Sequence, residues 1–388
     1  MKNIKKIYAF SFFWMFLIIM PVIVPFFLSL GLSMKQVFQV QAIFGLSIVI
    51  LEVPTGYLCD LWGRKNTLII GSFICGIGCT YLMFVKSFTG LVIYEVILAI
   101  SSSFVSGADI SLLYDSVDKS ERKEGTRSLA NMQFYSMAGE SIAAVLGGFL
   151  VTLSFGHVLV AYAIVQWIPF LIAFSFAEPV YEKMNKKTHW QNFGKILKYI
   201  FFNKDRVLIL TFANLVIWGL ASFFAVWMYQ KYWQENNVSL AMFGIIWAAF
   251  NLSVGIMGKQ VHMLEKKIGP APLLIFVGLG PILGYWGMGV MGGYVGVAFG
   301  ILFYLSRGIN NVLLKDAMNW RIPSSFRATA NSLHSMFFRL GFAVFGPGVG
   351  LLIDSQGMRF TLILLGCVFL GLFFLALVPL MKAIRQNA

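Results

Sequence analysis

The segment Glu52-Val-Pro-Thr-Gly-Tyr-Leu-Cys-Asp-Leu-Trp-Gly-Arg-Lys65 carries the strongest structural signal in this sequence. It places a short charged turn between two apolar runs, each long enough to cross a lipid bilayer. Asp60 precedes the turn, and Arg64 and Lys65 follow it. A basic turn between two apolar runs is typical of a short loop joining two membrane-spanning helices.

The composition of the whole chain supports a membrane protein. Of its 388 residues, 59% are hydrophobic and only 12% are charged, and the mean hydropathy is +0.79. A soluble protein of this size needs more polar surface. Runs such as 362–375 do not alternate between apolar and polar residues, which argues against a membrane β-barrel. The sequence therefore predicts an all-α membrane protein.

A spanning helix needs about 20 apolar residues, and short polar gaps divide the sequence into twelve such runs. The predicted spans lie at about 7–30, 38–58, 67–86, 89–116, 128–153, 158–177, 207–229, 240–259, 271–291, 294–316, 328–352 and 360–381.

The net charge of +14 is distributed unevenly between the predicted loops. If the amino terminus is cytoplasmic, the loops on the opposite side contain only Lys35, Lys86, Lys231 and Arg359, and the remaining loop cations lie inside. Cytoplasmic loops of membrane proteins carry an excess of Lys and Arg. We therefore expect both termini to be cytoplasmic. The same distribution makes nucleic acid an unsuitable partner for the positive charge, and the lipid bilayer a suitable one.

The two halves of the sequence look like copies. An offset of 200 residues aligns Arg127, Ala130 and Asn131 with Arg327, Ala330 and Asn331. Parallel repeats give two helical bundles related by an axis along the membrane normal. We expect one bundle at 1–177, a cytoplasmic linker at 178–206 with a lysine-rich amphipathic helix, and a second bundle at 207–388.

The turn at 56–65 also resembles a known family. Its residues fit the pattern Gly-x-Leu-x-Asp-x-x-Gly-Arg-Lys, which joins the second and third helices of major facilitator superfamily transporters. The resemblance implies twelve helices in two six-helix bundles, a monomer and a small-molecule substrate. A drug/proton antiporter-like bacterial branch is the expected relative, although Glu95 stands where that branch has Arg, and Ala143 and Ala144 stand where it has Gly-Pro.

The resemblance also implies a conformational gate at this turn, in which Asp60 helps to hold the outward-open state. Asp115, at the end of the fourth span, can join the network because Arg-carboxylate pairs favour one docking geometry. Alternatively, Arg64 and Lys65 only follow the positive-inside rule. The predicted gate residues are Gly56, Asp60, Gly63, Arg64, Lys65 and Asp115. The second copy of the turn, at 262–269, lacks the Asp and the Gly-Arg-Lys ending.

Ionisable residues within the predicted spans are candidates for coupling and binding, because charges in lipid are costly without a partner or water. Acids fall in the first half and bases in the second. The predicted proton-coupling residues are Glu140 first, then Asp109 and Glu95. A carboxyl group at mid-membrane is suited to take up and release protons. Permanent salt bridges between the halves are the alternative explanation.

Four residues are predicted to contact substrate: Arg307, Arg339, Trp14 and Trp218. The arginines suit an anionic substrate or act as counter-ions when the site is empty. The two tryptophans suit an aromatic or amphipathic compound, although most aromatic residues here are expected at lipid or interfacial positions.

These patterns, together with what the family resemblance implies, predict a proton-coupled secondary transporter that exports a small organic or amphipathic compound from a bacterial inner membrane. Uptake or exchange of an organic anion is the alternative, and a receptor that does not transport is a third possibility. An enzyme would need clustered His, Asp or Cys, and an ATP-driven pump a Gly-rich nucleotide loop. The sequence shows neither pattern, so no catalytic residue, metal site or cofactor is predicted.

Overall fold

The computed structural model describes residues 3–116, 122–178, 199–200, 205–323 and 327–386, and all regular secondary structure in these ranges is helical. The helices of the amino-terminal half are α1 (Ile4–Trp14), α2 (Ile23–Ser29), α3 (Met34–Trp62), α4 (Arg64–Leu82), α5 (Phe88–Val105), α6 (Ala108–Ser116), α7 (Arg122–Leu150), α8 (Phe155–Val165) and α9 (Ile168–Phe174). Those of the carboxy-terminal half are α10 (Arg206–Glu235), α11 (Leu240–Ile268), α12 (Pro270–Met291), α13 (Gly293–Phe299), α14 (Ile301–Trp320), α15 (Arg327–Leu372) and α16 (Val378–Gln386).

Side-chain caps mark several of the helix starts. Ser33 and Gln36 form a reciprocal capping box at the start of α3, with Gln36 N donating to Ser33 Oγ at 3.3 Å and Ser33 N donating to Gln36 Oε1 at 3.0 Å. Ser87 caps α5, and Asp205 caps α10. These side chains satisfy backbone donors that have no partner within the helix.

Several predicted spans are interrupted helices. Between α1 and α2 lies a short 3₁₀ turn at Met20–Val22 that contains Pro21, and proline cannot donate a helical hydrogen bond. Between α5 and α6 the backbone leaves the helical region at Gly107, where φ is +85°. A similar bend lies at Gly357 inside α15, where φ is +83°.

Eight segments of the described chain are long and apolar enough to cross a membrane. They are Met34–Glu52, Phe88–Ser116, Phe155–Phe174, Arg206–Glu235, Leu240–Ile268, Pro270–Met291, Gly293–Trp320 and Thr329–Gln386. The last has 58 residues, enough for two spans. The expectation of twelve spans with cytoplasmic termini stays a prediction.

The chain forms two compact units. Unit 1 is Met1–Met184 with Ser239–Ala249, and unit 2 is Asn185–Val238 with Phe250–Ala388. The first turns of α11 therefore belong to unit 1. The predicted domain boundaries at 177 and 207 stay a prediction. Most of the predicted linker, including its amphipathic helix, lies outside the described residues.

Small residues on α7 let neighbouring backbones approach closely in unit 1. A Cβ atom on Gly139 would overlap the carbonyl of Phe12, and one on Gly147 would overlap that of Ile18. On the same helix, Gly148 packs against Gly244 of α11, so that a Cβ on Gly148 would lie 2.9 Å from the Gly244 nitrogen. Such close packing is how membrane helices associate without large apolar side chains.

In unit 2, α10 packs against both α14 and α15, and α12 packs against the same two helices. Large aromatic side chains fill the space between them. Trp218, Trp233 and Tyr229 of α10 and Tyr285 of α12 are fully buried.

Candidate functional site

The predicted gate turn is held by a carboxylate that follows α9. Glu178 Oε1 accepts a hydrogen bond from the backbone nitrogen of Arg64 at 2.6 Å, and Oε2 accepts one from that of Lys65 at 2.7 Å. These amides open α4 and have no partner within the helix. A negative charge at a helix amino terminus is also favoured by the helix dipole. Glu178 therefore caps α4 from 114 residues away in sequence.

Gly63 makes this contact possible in two ways. Its backbone has φ +89° and ψ 162°, a conformation that side chains with a Cβ rarely adopt. A Cβ at this position would also lie only 2.6 Å from Glu178 Oε1. The glycine of the turn is thus required both by the backbone and by the carboxylate beside it.

Asp115 lies beside Arg64. The distance from Arg64 Nε to Asp115 Oδ2 is 3.5 Å, and Arg64 also approaches the Cys59 sulfur. Asp115 is near the carboxyl end of α6, where the helix dipole disfavours a negative charge, so the guanidinium offsets an unfavourable placement. We call Arg64, Lys65, Asp115 and Glu178 the α4 clamp.

A second set of hydrogen bonds ties the same end of unit 1 together. The amide of Asn3 donates to Ser116 Oγ at 3.1 Å and to the carbonyl of Ala177 at 2.8 Å, and it accepts from the Ala177 nitrogen at 3.0 Å. The chain ends of α1, α6 and α9 therefore meet next to the α4 clamp.

The other two predicted gate residues lie on α3. Gly56 has open space where a Cβ would be. Asp60 lies in the helix, and its side chain is outside the described part of the structure. The role implied for Asp60 stays a prediction.

Glu95 is enclosed between α3 and α5. Its side chain is 3% exposed, and its Oε1 accepts a hydrogen bond of 2.7 Å from Gln41 Nε2. Tyr94, next to it in sequence, is equally buried. Glu95 thus belongs to the packed interior of unit 1.

Asp109 stands at the break between α5 and α6. It lies in the first turn of α6, and its Oδ1 accepts a hydrogen bond of 2.7 Å from the nitrogen of Ile110. Its carboxylate is therefore partly committed to the start of α6.

Glu140 is half-buried on α7, and its partner comes from α11. The indole nitrogen of Trp247 donates to Glu140 Oε1 at 3.3 Å. Glu140 is adjacent to Gly139, which packs against the carbonyl of Phe12 on α1. The carboxyl group consequently lies where three helices of unit 1 meet.

The two predicted arginines lie in unit 2. Arg307 is half-buried on α14, and none of the residues in the described ranges forms a hydrogen bond or an ion pair with it. Arg339 Nε donates to Ser335 Oγ at 3.3 Å, one turn earlier on α15.

The predicted tryptophans are packed inside their units. Trp14 is half-buried and stacks on Phe10 at a centroid distance of 5.8 Å. Trp218 is fully buried, and its indole nitrogen donates to Asn214 Oδ1 at 2.9 Å. Asn214 in turn donates to the Ala376 carbonyl at 3.0 Å, within a π-helical turn at Phe373–Leu377. Trp218 therefore lies in the core of unit 2, and its contact with substrate stays a prediction.

The second copy of the turn differs from the first. Gly269 and Pro270 occupy the places of Gly63 and Arg64, and a cavity of about 290 Å³ lies beside Pro270. Glu265, Asp316 and Arg321 line this cavity. No group of three or more His, Cys, Asp or Glu side chains that could hold a metal ion occurs within the described ranges.

A protein-family model matches most of this chain. The model described as Major Facilitator Superfamily matches residues 7–321. The chain belongs to this superfamily. It is therefore an integral membrane protein and a transporter rather than an enzyme, as the charged turn at 56–65 predicted.

Two curated relatives span nearly the whole chain of this superfamily member. The MFS-type transporter YxaM of Bacillus subtilis is 24% identical over 353 residues, which cover 87% of this chain and 86% of the relative. The MFS-type transporter MJ1560 of Methanocaldococcus jannaschii is 20% identical over 374 residues and 92% of each chain. Neither name specifies a substrate.

Solved structures with the same fold include transporters for different compounds. The nucleoside transporter NupG superposes with a TM-score of 0.79 at 13% identity, covering 99% of this chain and 100% of NupG. A D-xylose-proton symporter superposes with a TM-score of 0.73 at 13% identity, covering 98% of this chain and 96% of the symporter. At these identities the similarity shows the fold alone.

Sequence reasoning missed Glu178, Gln41 and Trp247, which contact predicted residues. Glu178 follows the sixth predicted span directly, so its position beside the helix ends was a usable signal. Gln41 and Trp247 lie within largely apolar stretches, and nothing in their sequence neighbourhood identifies a partner.

Proposed function

We propose that this protein is a proton-coupled secondary transporter that works by alternating access and exports a small organic or amphipathic compound. The proposal places it in the bacterial inner membrane as a monomer, with cytoplasmic termini. The shared fold with a D-xylose-proton symporter is compatible with proton coupling but does not transfer that protein's substrate.

The contact between Glu140 and Trp247 carries the proposal. A carboxyl group on a spanning helix needs a hydrogen-bond partner or water. The indole N–H of Trp247 donates only, so it can bond to an oxygen of either the ionised or the protonated carboxyl group. Glu140 is also half-buried, and it therefore stays more accessible to a proton than the enclosed Glu95.

The other two acids are less suited to this role. Glu95 is 3% exposed and bonded to Gln41, so a proton would have to cross packed side chains to reach it. Asp109 is bonded to the first turn of α6, and that hydrogen bond would have to be replaced in each transport cycle. We assign the proton-coupling role to Glu140. Glu95 and Asp109 are then positioning residues, which act through their hydrogen bonds to Gln41 and to the start of α6.

The α4 clamp supports the conformational part of the proposal. Its contacts join the starts and ends of three helices through side chains that lie at the surface or are half-buried. Contacts of this kind break at lower cost than packed apolar ones, as a gate requires.

Proteoliposomes with a trapped pH-sensitive dye test the coupling role. A mixed library of amphipathic cations and organic anions is added under an imposed proton gradient. We expect at least one compound to drive proton movement in the wild type and none to do so in Glu140→Gln. Glu235→Gln, which alters an exposed acid paired with Lys231, is the matched control and keeps full activity. Proton movement that persists in Glu140→Gln would remove Glu140 from the mechanism.

Uptake or exchange of an organic anion is the second candidate, and Arg307 favours it. Arg307 has no hydrogen-bond or ion-pair partner among the described residues, so we expect this cation on a spanning helix to face water or a ligand rather than lipid. If the wild type transports organic anions without a proton gradient, and Arg307→Gln abolishes that flux, this candidate is favoured over proton-coupled export.

A further inference from the structure

The first turns of α11 lie against α7 along one line of close contacts inside unit 1. A Cβ atom on Gly148 would lie 2.7 Å from the carbonyl oxygen of Ala241, and one on Gly244 would overlap the carbonyl oxygen of Ala144. The hydrogen bond of 3.3 Å from the Trp247 indole continues the line by one turn. We call this set the α7–α11 contact line: Glu140, Ala144 and Gly148 on α7, and Ala241, Gly244 and Trp247 on α11.

The spacing of these residues shows how the two helices run. Steps of four residues on α7 match steps of three residues on α11, in the opposite direction along the chain. Each step is about one helical turn, so the members on each helix share one face of it. The two helices are therefore antiparallel and in continuous contact from Gly148 to Glu140.

Glu140 and Trp247 form the polar end of this line. The other four members are glycines and alanines, which allow close backbone packing and contribute no side-chain hydrogen bond. Trp247 is only 3% exposed, and its indole N–H is bonded to Glu140 Oε1. A buried indole N–H normally has an acceptor, because it can only donate. Glu140 itself is half-buried, so its charge can change while the indole stays enclosed.

The helix α11 enters unit 2 directly after this contact. Unit 1 includes α11 as far as Ala249, and unit 2 begins again at Phe250. The ring of Phe250 lies 5.1 Å from that of Tyr304 and 5.9 Å from that of Tyr229, within unit 2. Trp247 precedes Phe250 by three residues on an uninterrupted helix. Trp247 thus stands one turn before the point where α11 becomes part of the other unit.

Other ionisable groups occur on the helices packed around this part of α7. They are Lys5, Lys6 and Tyr8 on α1, Asp109, Tyr114 and Asp115 on α6, His157 and Tyr162 on α8, and Arg122, Lys123, Glu124, Arg127 and Tyr135 on α7 itself. Tyr8 stacks on Tyr135, and Tyr114 approaches Gly125, so both lie nearer the start of α7 than Glu140. The stretches that pack beside Glu140, 9–18 and 240–249, contain no ionisable side chain. Along the contact line, a change of charge is therefore a change on Glu140.

The strength of the Glu140 contact depends on that charge. A hydrogen bond to an ionised carboxylate is roughly twice as strong as one between neutral groups. Ionised Glu140 consequently holds the Trp247 indole more firmly than protonated Glu140 does. Backbone packing at Gly148 and Gly244 has no such dependence on charge.

We propose that Trp247 is the positioning residue through which the protonation state of Glu140 acts on α11. The inference rests on the proposed coupling role of Glu140, and it names the helix on which that role acts. While Glu140 is ionised, the indole hydrogen bond holds the first turns of α11 against α7. When Glu140 takes up a proton from water, the bond weakens and these turns part from α7 more readily. Return of the proton to water restores the contact.

Fluorine NMR on the full-length protein in nanodiscs tests the dependence on protonation. Incorporated fluorotryptophan labels the indoles, and the Trp247 resonance is assigned by its loss in Trp247→Phe. We expect this resonance to move as the pH is lowered, and to keep its low-pH position at every pH in Glu140→Gln. Trp286 is the matched control, because its indole donates to the Ile363 carbonyl at the same distance of 3.3 Å. That acceptor does not titrate, so the Trp286 resonance should stay fixed.

Hydrogen exchange of the backbone amides in 240–249, measured at one pH, tests the effect on α11. We expect Glu140→Gln and Trp247→Phe each to speed this exchange by about five- to tenfold, and the double variant to speed it no further. Trp286→Phe should leave it unchanged. Trp247→Tyr keeps a donor and should recover part of the protection, and it replaces Trp247→Phe if that variant fails to fold.

A Trp247 resonance that ignores pH, or that moves equally in Glu140→Gln, would overturn the proposal. Additive changes of exchange in the double variant would overturn it as well. If Glu140→Gln still abolishes proton movement in proteoliposomes, the proposed function then stands and only the role of Trp247 is lost. Proton movement that persists in Glu140→Gln removes the proposed function and this inference together.

Discussion

The carboxylate of Glu178 lies 2.6 Å from the backbone nitrogen of Arg64, so a residue just after the sixth predicted span caps the helix that begins the third. Truncation of Glu178 leaves two amides at the start of α4 without this acceptor. We expect Glu178→Ala to destabilise unit 1 by about 1 kcal/mol and to slow transport. Thermal unfolding in detergent and flux in vesicles measure the two effects.

The matching variant for that experiment is Glu235→Ala. It removes an exposed carboxylate whose one salt bridge within the described residues is to Lys231, one turn away. Equal losses of melting temperature in the two variants would show that the cap on α4 contributes nothing specific.

Gly63 and Gly269 have similar backbone conformations, but only Gly63 has a side chain close to the place of its missing Cβ. Both precede a helix with almost the same conformation, φ +89° and ψ 162° for Gly63 and φ +79° and ψ 170° for Gly269. A Cβ on Gly63 would meet Glu178, and one on Gly269 would meet nothing within 4 Å. We expect Gly269→Ala to cost about 1–3 kcal/mol through strain alone, and Gly63→Ala to cost more.

A double variant separates the two contributions at position 63. In a Glu178→Ala background, the cost of Gly63→Ala should fall to that of Gly269→Ala. The comparison uses the unfolding free energies of five proteins: wild type, Gly63→Ala, Glu178→Ala, the double variant and Gly269→Ala. A cost that does not fall would mean that Glu178 is not the obstructing group.

The pair of Arg64 and Asp115 should act as one unit in transport. The side chains are only 15% and 25% exposed, so we expect a coupling of about 0.5–1 kcal/mol. Arg64→Gln, Asp115→Asn and the double variant should slow flux to a similar extent. The control, Arg321→Gln, breaks the contact with Asp205 and should leave flux near wild type. Additive effects of the two changes on flux would show that Arg64 and Asp115 act independently.

Gly244 should be intolerant of even a methyl group. A Cβ there would overlap the carbonyl of Ala144, whereas one on Gly258 of the same helix would make an ordinary contact of 3.7 Å with Val312. We expect Gly244→Ala to lower stability by about 1–3 kcal/mol and Gly258→Ala to be close to neutral. Similar melting temperatures for the two variants would show that α7 and α11 tolerate separation at this point.

The sequence allowed prediction of the helical membrane fold because length and hydropathy determine it. The spacing from Gly56 to Lys65 identified the superfamily, and the placement of Asp115 at the end of a span located it near Arg64. Both signals are local: each depends on where a residue stands along a helix. Local position is what a single sequence records most clearly.

Contacts between distant helices could not be predicted in the same way. The aromatic content of α10 made Trp218 a candidate for substrate contact, but it did not indicate that the indole bonds to Asn214 inside unit 2. The hydrogen bond from Asn310 to the Leu215 carbonyl likewise joins residues that are 95 positions apart, and no local pattern in the sequence indicates it. The direction in which each side chain points depends on helix rotation, which apolar runs do not encode when all faces are apolar.

The cap on α4 also constrains which sequences this protein can tolerate. Arg64 and Lys65 contribute backbone N–H groups, which every residue except proline possesses. In a library of variants, the cap therefore forbids only proline at these two positions, whereas it restricts positions 63 and 178 jointly to a glycine and an acid. Selection at position 63 should therefore be correlated with selection at position 178. The two positions are distant in sequence, since Glu178 lies 114 residues from Arg64, the neighbour of Gly63.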